Sequence, residues 1–351
     1  MPKNKHLNGP VMKERKFFSG ILNHCYQRTV GGIPLFYSVS DFLVYFTIFC
    51  TTAPKYDVVI LALCLMPDHI HQSTIAGSIK ELVRFIQEVS SKYSHVYNSL
   101  CLRKGPLFEK SFGSAPKTGD KKARTNLIYI GNNAPERRLC SKAEEYKWNF
   151  IAYARNSNPF SEKLILASAS KAMRRAVAEI KYQNKQGKPL TYRQLQRLFA
   201  SLDMNERKQL VDFIIMTYNI IDHEAAIRFF SSYEDMLLSM HANTGSEYDI
   251  NEVFVGKSDA CYAKMAQILR KELGIQDIHD IFVLTEGERI SLLPRLLGRT
   301  EATPGQVASF LQVPLSRYVN GQPVGRTFRS SQSARGGKVA ESEAVTRNPM
   351  L

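Results

Sequence analysis

A chain of 351 residues, 44% of them apolar, with a formal charge of +15, is long enough for two or three globular domains and calls for a polyanionic partner. Nucleic acid is the first candidate and an acidic membrane surface the second, but Phe42 to Cys50 and Val58 to Met66, the most apolar stretches, are too short to span a bilayer. No secretory pattern follows Lys3, Lys5, Lys13, Arg15 and Lys16, and the six cysteines show no Cys-x-x-Cys spacing, so neither a zinc ribbon nor a disulfide framework is expected and a cytoplasmic protein is.

After a basic tail over residues 1–16, Asn23 to Val30 reads as a first strand closed by the turn Gly31-Gly32. Val39 to Phe49 sets Phe42, Leu43, Phe46 and Phe49 at helical spacing behind Ser40, a candidate N-cap. Tyr56 to Met66, YDVVILALCLM, is a near-continuous aliphatic run between Pro54 and Pro67, as suits a strand buried on both faces.

The segment that follows, MPDHIHQ, carries His69 and His71 two apart, and on a strand such residues point to one face. Two imidazoles side by side can chelate a divalent metal, although a His-x-His pair also arises by chance. His69 to Ile75 returns as the antiparallel neighbour of the preceding strand or enters a loop, both being compatible with so short a segment. Asp68 is read as a turn former, with a ligand role as the alternative.

Ser78 to Leu100 predicts a long amphipathic helix whose polar face carries Lys80, Arg84 and Lys92. Lys104 to Lys117, KGPLFEKSFGSAPK, interleaves turn, basic and aromatic residues and suits two short strands. Its Lys104, Lys110 and Lys117 would track phosphates while Phe108 and Phe112 stack on bases, with Arg84 and Lys92 adding charge; the same rings also suit a plain core. Asp120 to Asn133 is a helix candidate that places Tyr129 and Asn133 on one face a turn apart. A tyrosine there could act as a covalent nucleophile, and the Asn133 amide could complete a metal site begun by the histidines; Tyr129 could equally be one half-buried tyrosine among 16.

Taken in order, MPDHIHQ, GPLFEKSF, YIGNNA and the aromatic residues Trp148, Phe150 and Tyr153 resemble the single-tyrosine HUH transposases, in particular the REP-associated tyrosine transposases and their insertion-sequence relatives. The resemblance covers roughly residues 17–160. It implies an α+β fold of ferredoxin-like type, a central antiparallel sheet flanked by helices, with the histidines on a central strand and the tyrosine on a facing helix. It further implies cutting and rejoining of single-stranded or hairpin DNA: His69, His71 and Asn133 would hold Mg²⁺ or Mn²⁺, and Tyr129 would attack the phosphodiester to leave a 5′-phosphotyrosine and a free 3′-hydroxyl. No nucleotide cofactor is called for. The chain departs from the family pattern at Ala134, where the family has a proline that here follows as Pro135, and at Gln72, where an apolar residue is usual. Relatives include monomers and homodimers, and both stay open here. A replication initiator or relaxase-like nicking enzyme and a non-cleaving DNA-binding regulator are the alternative functions.

The remainder reads as an all-α region. Ser161 to Gly187 is polar and basic, with Lys171, Arg174, Arg175, Lys181 and Lys185, and opens a helical linker region over 161–256. Thr191 and Asp203 are candidate caps, and the acidic residues of Tyr233 to Glu252 are expected to lie away from DNA. Residues 257–320 suit a small helical module: Ala260 to Leu273 ended by Gly274, Gly287 to Leu297, and then TPGQVASFLQVPLSRYV, whose spacing allows a helix-turn-helix with its recognition helix starting at Ser316. Gly321 to Leu351 is rich in Ser, Gly, Arg and Pro and is expected to be disordered.

Overall fold

In the computed structural model, residues 16–109, 112–242, 258–319 and 322–323 are described. Strand β1 (Leu22–Arg28) leads through a 3-10 turn at Val30–Gly32 to helix α1 (Val39–Thr52), which starts two residues earlier than a cap at Ser40 would allow. Ser38 caps it, with the Asp41 carboxylate accepting from the Ser38 backbone N–H at 2.7 Å and from the Tyr37 N–H at 2.9 Å. The aliphatic run becomes β2 (Val58–Leu65), and Pro67-Asp68 turn it directly into β3 (His69–Ala76), resolving that segment as strand. Helix α2 (Ile79–Leu100) follows, capped by Ser78; of the two short strands expected over 104–117, the described residues hold β4 (Gly113–Pro116) and an isolated bridge at Phe108.

The sheet order is β2-β3-β1-β4, antiparallel throughout, so β3 and β1 are central. Tyr26 pairs with His71 and Arg28 with His69, which puts His24, Tyr26, Arg28, His69 and His71 on one face. Across the other face lies α2, where the Gln27 amide donates to Ser90 Oγ at 2.8 Å, with α1 packed beside it. Gly113 pairs with Tyr26, and a Cβ there would lie 2.0 Å from the tyrosine ring, so only glycine lets that ring cross β4.

Helix α3 (Asp120–Glu136) covers the histidine face. It carries Pro135 in its last turn, where the ring removes the N–H that would meet the Gly131 carbonyl, an oxygen that accepts from Asn149 Nδ2 at 3.5 Å, and it runs past Ala134 to Glu136 with Arg137 as its C-cap. Trp148 stacks on Phe42 at 4.2 Å and Phe150 on Phe46 at 4.4 Å, fastening the chain after α3 to α1 through well-buried rings.

The expected boundaries at 160 and 256 do not interrupt the core, which runs from Cys25 on β1 to Val313. Helices α5 (Tyr192–Ala200) and α6 (Met204–Tyr218) pack against α1, and α4 (Lys171–Lys185) packs on α6; the Leu190 N–H donates to Thr47 Oγ1 at 3.0 Å and Tyr192 Oη to Asp41 at 2.7 Å. Thr191 and Asp203 cap α5 and α6 as expected. Ile221 bridges Ile60 at the open edge of β2, after which α7 (His223–Ile227) and α8 (Tyr233–Ala242) come over the histidine face. The acidic α8 packs on α3, with Arg124 reaching Asp235 at 3.4 Å and Ser239 at 2.7 Å. The rest of that acidic stretch, 243–252, lies outside the described residues.

Helix α9 (Ala260–Leu273) ends at the left-handed Gly274, and α10 (Glu286–Leu297) and α11 (Pro304–Leu311) follow. A recognition helix does not start at Ser316. Leu315–Arg317 is a 3-10 turn, and Tyr318–Val319 (β5) pairs with Gln322–Pro323 (β6). Two β-formers before Asn320-Gly321 make a hairpin signal that outweighs helix continuation. The tails over 1–15 and 324–351 lie outside the described residues. Among the described residues no helix is long and apolar enough to cross a membrane.

The α9–α11 layer is tied to the sheet domain by hydrogen bonds from Tyr37 Oη to the Phe310 carbonyl at 2.8 Å and from the Gln312 amide to Tyr97 Oη at 3.0 Å. His279 sits between Asp277 at 2.6 Å and Asp41 at 3.1 Å, edge-on to Tyr37 and Tyr192 and beside Phe282. Burial opposes its charge, yet Asp41 and Asp277 outweigh burial and raise the imidazole from 6.5 to about 10; Arg270 also faces Asp277. A folded-state value above the unfolded one means that this contribution is fully present below pH ~6.5 and is lost as pH rises towards 10. The urea midpoint of the protein is expected to fall between pH 6.5 and 10 by more than that of His279→Gln. Parallel losses in the two proteins would show that the pair does not stabilise the layer.

Candidate active site

The site lies where β1 and β3 face α3. Because Pro67-Asp68 force a tight reversal out of β2, His69 opens β3 with Asp68 beside it, and Asp68 Oδ1 accepts from His69 Nδ1 at 2.6 Å. Asp68 thus lies in the turn between β2 and β3 and also orients the His69 ring. Burial pushes its carboxyl up, but His69 and Arg137 outweigh burial and hold it below the usual carboxylate range. His69 and His71 approach edge-to-face with ring centroids 4.9 Å apart, and the second imidazole is fully buried.

His71 Nδ1 lies 3.0 Å from Nε2 of His24, a residue on β1 that the sequence reading missed. Burial lowers His71 well below its ordinary value, with further lowering from its histidine neighbours, and burial followed by Lys117 lowers His24 to about 3, so both rings are neutral. A neutral His71 that offers its Nε2 lone pair carries its proton on Nδ1, and that N–H then donates to His24 Nε2. With Asp68 at His69 Nδ1 and His24 at His71 Nδ1, coordination by either ring would run through Nε2. Metal-binding histidines characteristically have the other ring nitrogen held in this way.

From α3, the Tyr129 ring meets both imidazoles edge-on, 5.5 Å from His71 and 5.5 Å from His24 between centroids. Asn133, one turn on and buried, donates through Nδ2 to the Tyr129 carbonyl at 2.9 Å, which turns its Oδ1, the atom a cation would use, away from that bond. Asn126 holds the register of helix on strand by accepting from Ser73 Oγ at 2.6 Å. The donor set of two Nε2 atoms and an amide oxygen fits a divalent cation that accepts imidazole, Mn²⁺ more readily than Mg²⁺. Among the described residues no group of three His, Cys, Asp or Glu side chains is arranged to hold a metal.

The residues expected to bind DNA are distributed less simply. Lys104 is exposed, and Lys117 stands at the end of β4 with its charge acting on His24. Phe108 and Phe112 are core residues, 7% and 8% exposed; the bridge between Phe108 and Thr29 turns that ring inward instead of offering it to bases. Arg84 and Lys92 lie on α2 across the sheet from the histidines, and Lys92 pairs with Glu88 at 2.7 Å. Lys110 lies outside the described residues.

His24→Ala is expected to weaken Mn²⁺ binding about 10- to 100-fold, the usual cost of losing the group that orients a metal-binding histidine. Titration of free Mn²⁺ by electron paramagnetic resonance measures this directly, and an unchanged affinity would remove His24 from the site.

Residues 39–133, about a quarter of the chain, match the family described as transposase, IS200 like. No curated protein matches the chain. A solved REP-associated tyrosine transposase bound to a REP hairpin is similar over 41% of this chain and 84% of its own, at 11% identity and a TM-score of 0.36, a likeness too slight to bear on function. The matched segment includes MPDHIHQ and ends at Asn133, so it holds both histidines, the tyrosine and the asparagine. Over this segment, the chain is similar to the IS200-like transposases.

Proposed function

We propose that the protein cuts and rejoins single-stranded DNA, using Tyr129 as the nucleophile beside a cation held by His69, His71 and Asn133. The observation that carries this reading is the edge-on packing of Tyr129 against a histidine pair whose Nδ1 atoms are both held by protein partners. When bound, Mg²⁺ or Mn²⁺ supplies Lewis-acid polarisation of the scissile phosphate. Tyr129 Oη forms a bond to phosphorus as the P–O3′ bond breaks; the electron pair passes to the 3′ oxygen, which ends as a hydroxyl once the tyrosine proton has been given up. One ester replaces another, so the reverse step rejoins strands without a nucleotide cofactor. Burial of the site excludes competing water, while Lys104 and Lys117 meet the incoming backbone. DNA ends or repeats that form hairpins are the expected substrates, which favours transposition over plasmid initiation.

Incubation with Mn²⁺ and a hairpin-bearing single-stranded oligonucleotide is expected to give a protein–DNA adduct that survives denaturation, and EDTA is expected to abolish it. Binding without an adduct under any divalent cation would favour the non-cleaving regulator.

A further inference from the structure

Helix α4 lies outside the segment matched to the transposase family, and its exposed face is chemically unusual. From Lys171 to Arg197 the chain carries eight basic residues and one acid, Glu179, a net +7 of the total +15. On α4, Lys171, Arg174, Arg175, Lys181, Tyr182 and Lys185 fall at i, i+3, i+4, i+10, i+11 and i+14, an arc of about 120° on a helix of 3.6 residues per turn. All six are exposed, Tyr182 at 59%, and the stripe is about 21 Å long at 1.5 Å per residue. Glu179 lies off the arc and is engaged by Arg197; among the described residues none of the five cations in the stripe has an acidic partner.

We infer that this stripe is a second nucleic-acid surface that docks the phosphate backbone of duplex DNA. It rests on α6, beside α1, on the side of the sheet away from the histidines, so it would hold a duplex segment separate from the strand in the active site. Its length matches about six base-pair steps of 3.4 Å. An acidic membrane fits less well: an interfacial helix inserts an apolar face, whereas Met173, Ala176, Val177 and Ile180 are all buried in the core. Single strands fit less well too, since they require several stacking rings and the stripe offers one. The proposal rests on the DNA-cleaving reading only in choosing DNA as the nucleic acid.

The test compares full-length protein with the variant Lys171→Gln/Arg174→Gln/Lys181→Gln/Lys185→Gln in binding a blunt 20-base-pair duplex from 50 to 200 mM salt. At about 0.9 per phosphate contact, the slope of log K against log salt is expected to become shallower by about 3 to 4, which makes the loss of affinity over that range about 100-fold smaller. Lys181→Gln/Lys185→Gln, a milder change on one half of the stripe, is expected to lower the slope by about 2. Adduct formation at Tyr129 on a short single-stranded hairpin is expected to persist in both variants. An unchanged slope for the duplex overturns the proposal, as does loss of binding to phosphatidylserine vesicles with duplex binding intact. Absence of any adduct in the unmodified protein bears on the cleavage reading alone, because the duplex slope is read without cleavage.

Discussion

Replacing Tyr129 by phenylalanine is expected to remove the covalent DNA adduct completely, with a loss on the order of 10⁴-fold or more in cleavage rate, as for other lost nucleophiles. The change deletes one oxygen and keeps the ring that packs edge-on to His24 and His71, so fold and DNA affinity should be preserved. His69→Ala is the companion variant: it too should abolish the adduct, but it should also weaken Mn²⁺ binding, which Tyr129→Phe should leave unchanged. An adduct that persists in Tyr129→Phe would move the nucleophile to another residue. Loss of DNA binding together with cleavage in His69→Ala would recast the histidine pair as structural.

The second large effect concerns the end of the tyrosine helix. The Arg137 guanidinium meets the Asp259 carboxylate through two nitrogens, at 2.6 and 3.2 Å, with both side chains buried. The Asp259 N–H also donates to the Arg137 carbonyl at 3.1 Å, so the start of α9 is fastened to the end of α3 by backbone as well as side chain. Truncating either partner leaves the other charge buried and uncompensated, an effect of about 3–5 kcal/mol. Arg137→Ala or Asp259→Ala should therefore lower the denaturation midpoint sharply and slow adduct formation by loosening α3. The double change Arg137→Met/Asp259→Leu, which leaves no lone charge, should recover much of the stability. Single changes within about 0.5 kcal/mol of the unmodified protein would show that the pair does not brace the helix.

Gly131 tells the same story from the middle of α3. A Cβ there would fall 2.6 Å from Met240 Sδ, and the neighbouring Asn132 amide donates to the Met240 carbonyl at 2.8 Å. Helix α8 is thus seated directly on the backbone of the tyrosine helix, two residues from the nucleophile. The C-terminal half is part of what positions the site and is more than an appended module.

What could be read from residues alone follows the range of the interactions involved. β2, the Pro67-Asp68 reversal and β3 are contiguous, so the histidine pair and its common face were legible from alternation. Tyr129 and Asn133 were legible because helical periodicity alone puts them on one face. His24 was not, since its role depends on β1 pairing with β3 across 47 residues, and no local pattern announces such a pairing. The side of the sheet that α2 would cover was equally hidden, so the sequence could not say that Arg84 and Lys92 lie across the sheet from the histidines. Phe108 and Phe112 were ambiguous for a chemical reason: an aromatic ring between basic residues serves a core as well as a stacking platform. The packing of α8 was not legible from its acidic charges, because its buried Met236 and Met240 determine where it sits. At the C-terminal end, helix-turn-helix spacing was outweighed by the hairpin chemistry of Tyr318 to Pro323.

The central claim is that a single tyrosine beside a metal-binding histidine pair carries DNA through a covalent intermediate. Its most direct test is peptide mass spectrometry of the protein after reaction with Mn²⁺ and a hairpin-bearing oligonucleotide, followed by nuclease trimming. The expected result is a nucleotide joined through its 5′ phosphate to Tyr129 and to no other residue. A modification on any other tyrosine, or cleaved DNA with free 5′ phosphates and no modified peptide, would contradict it.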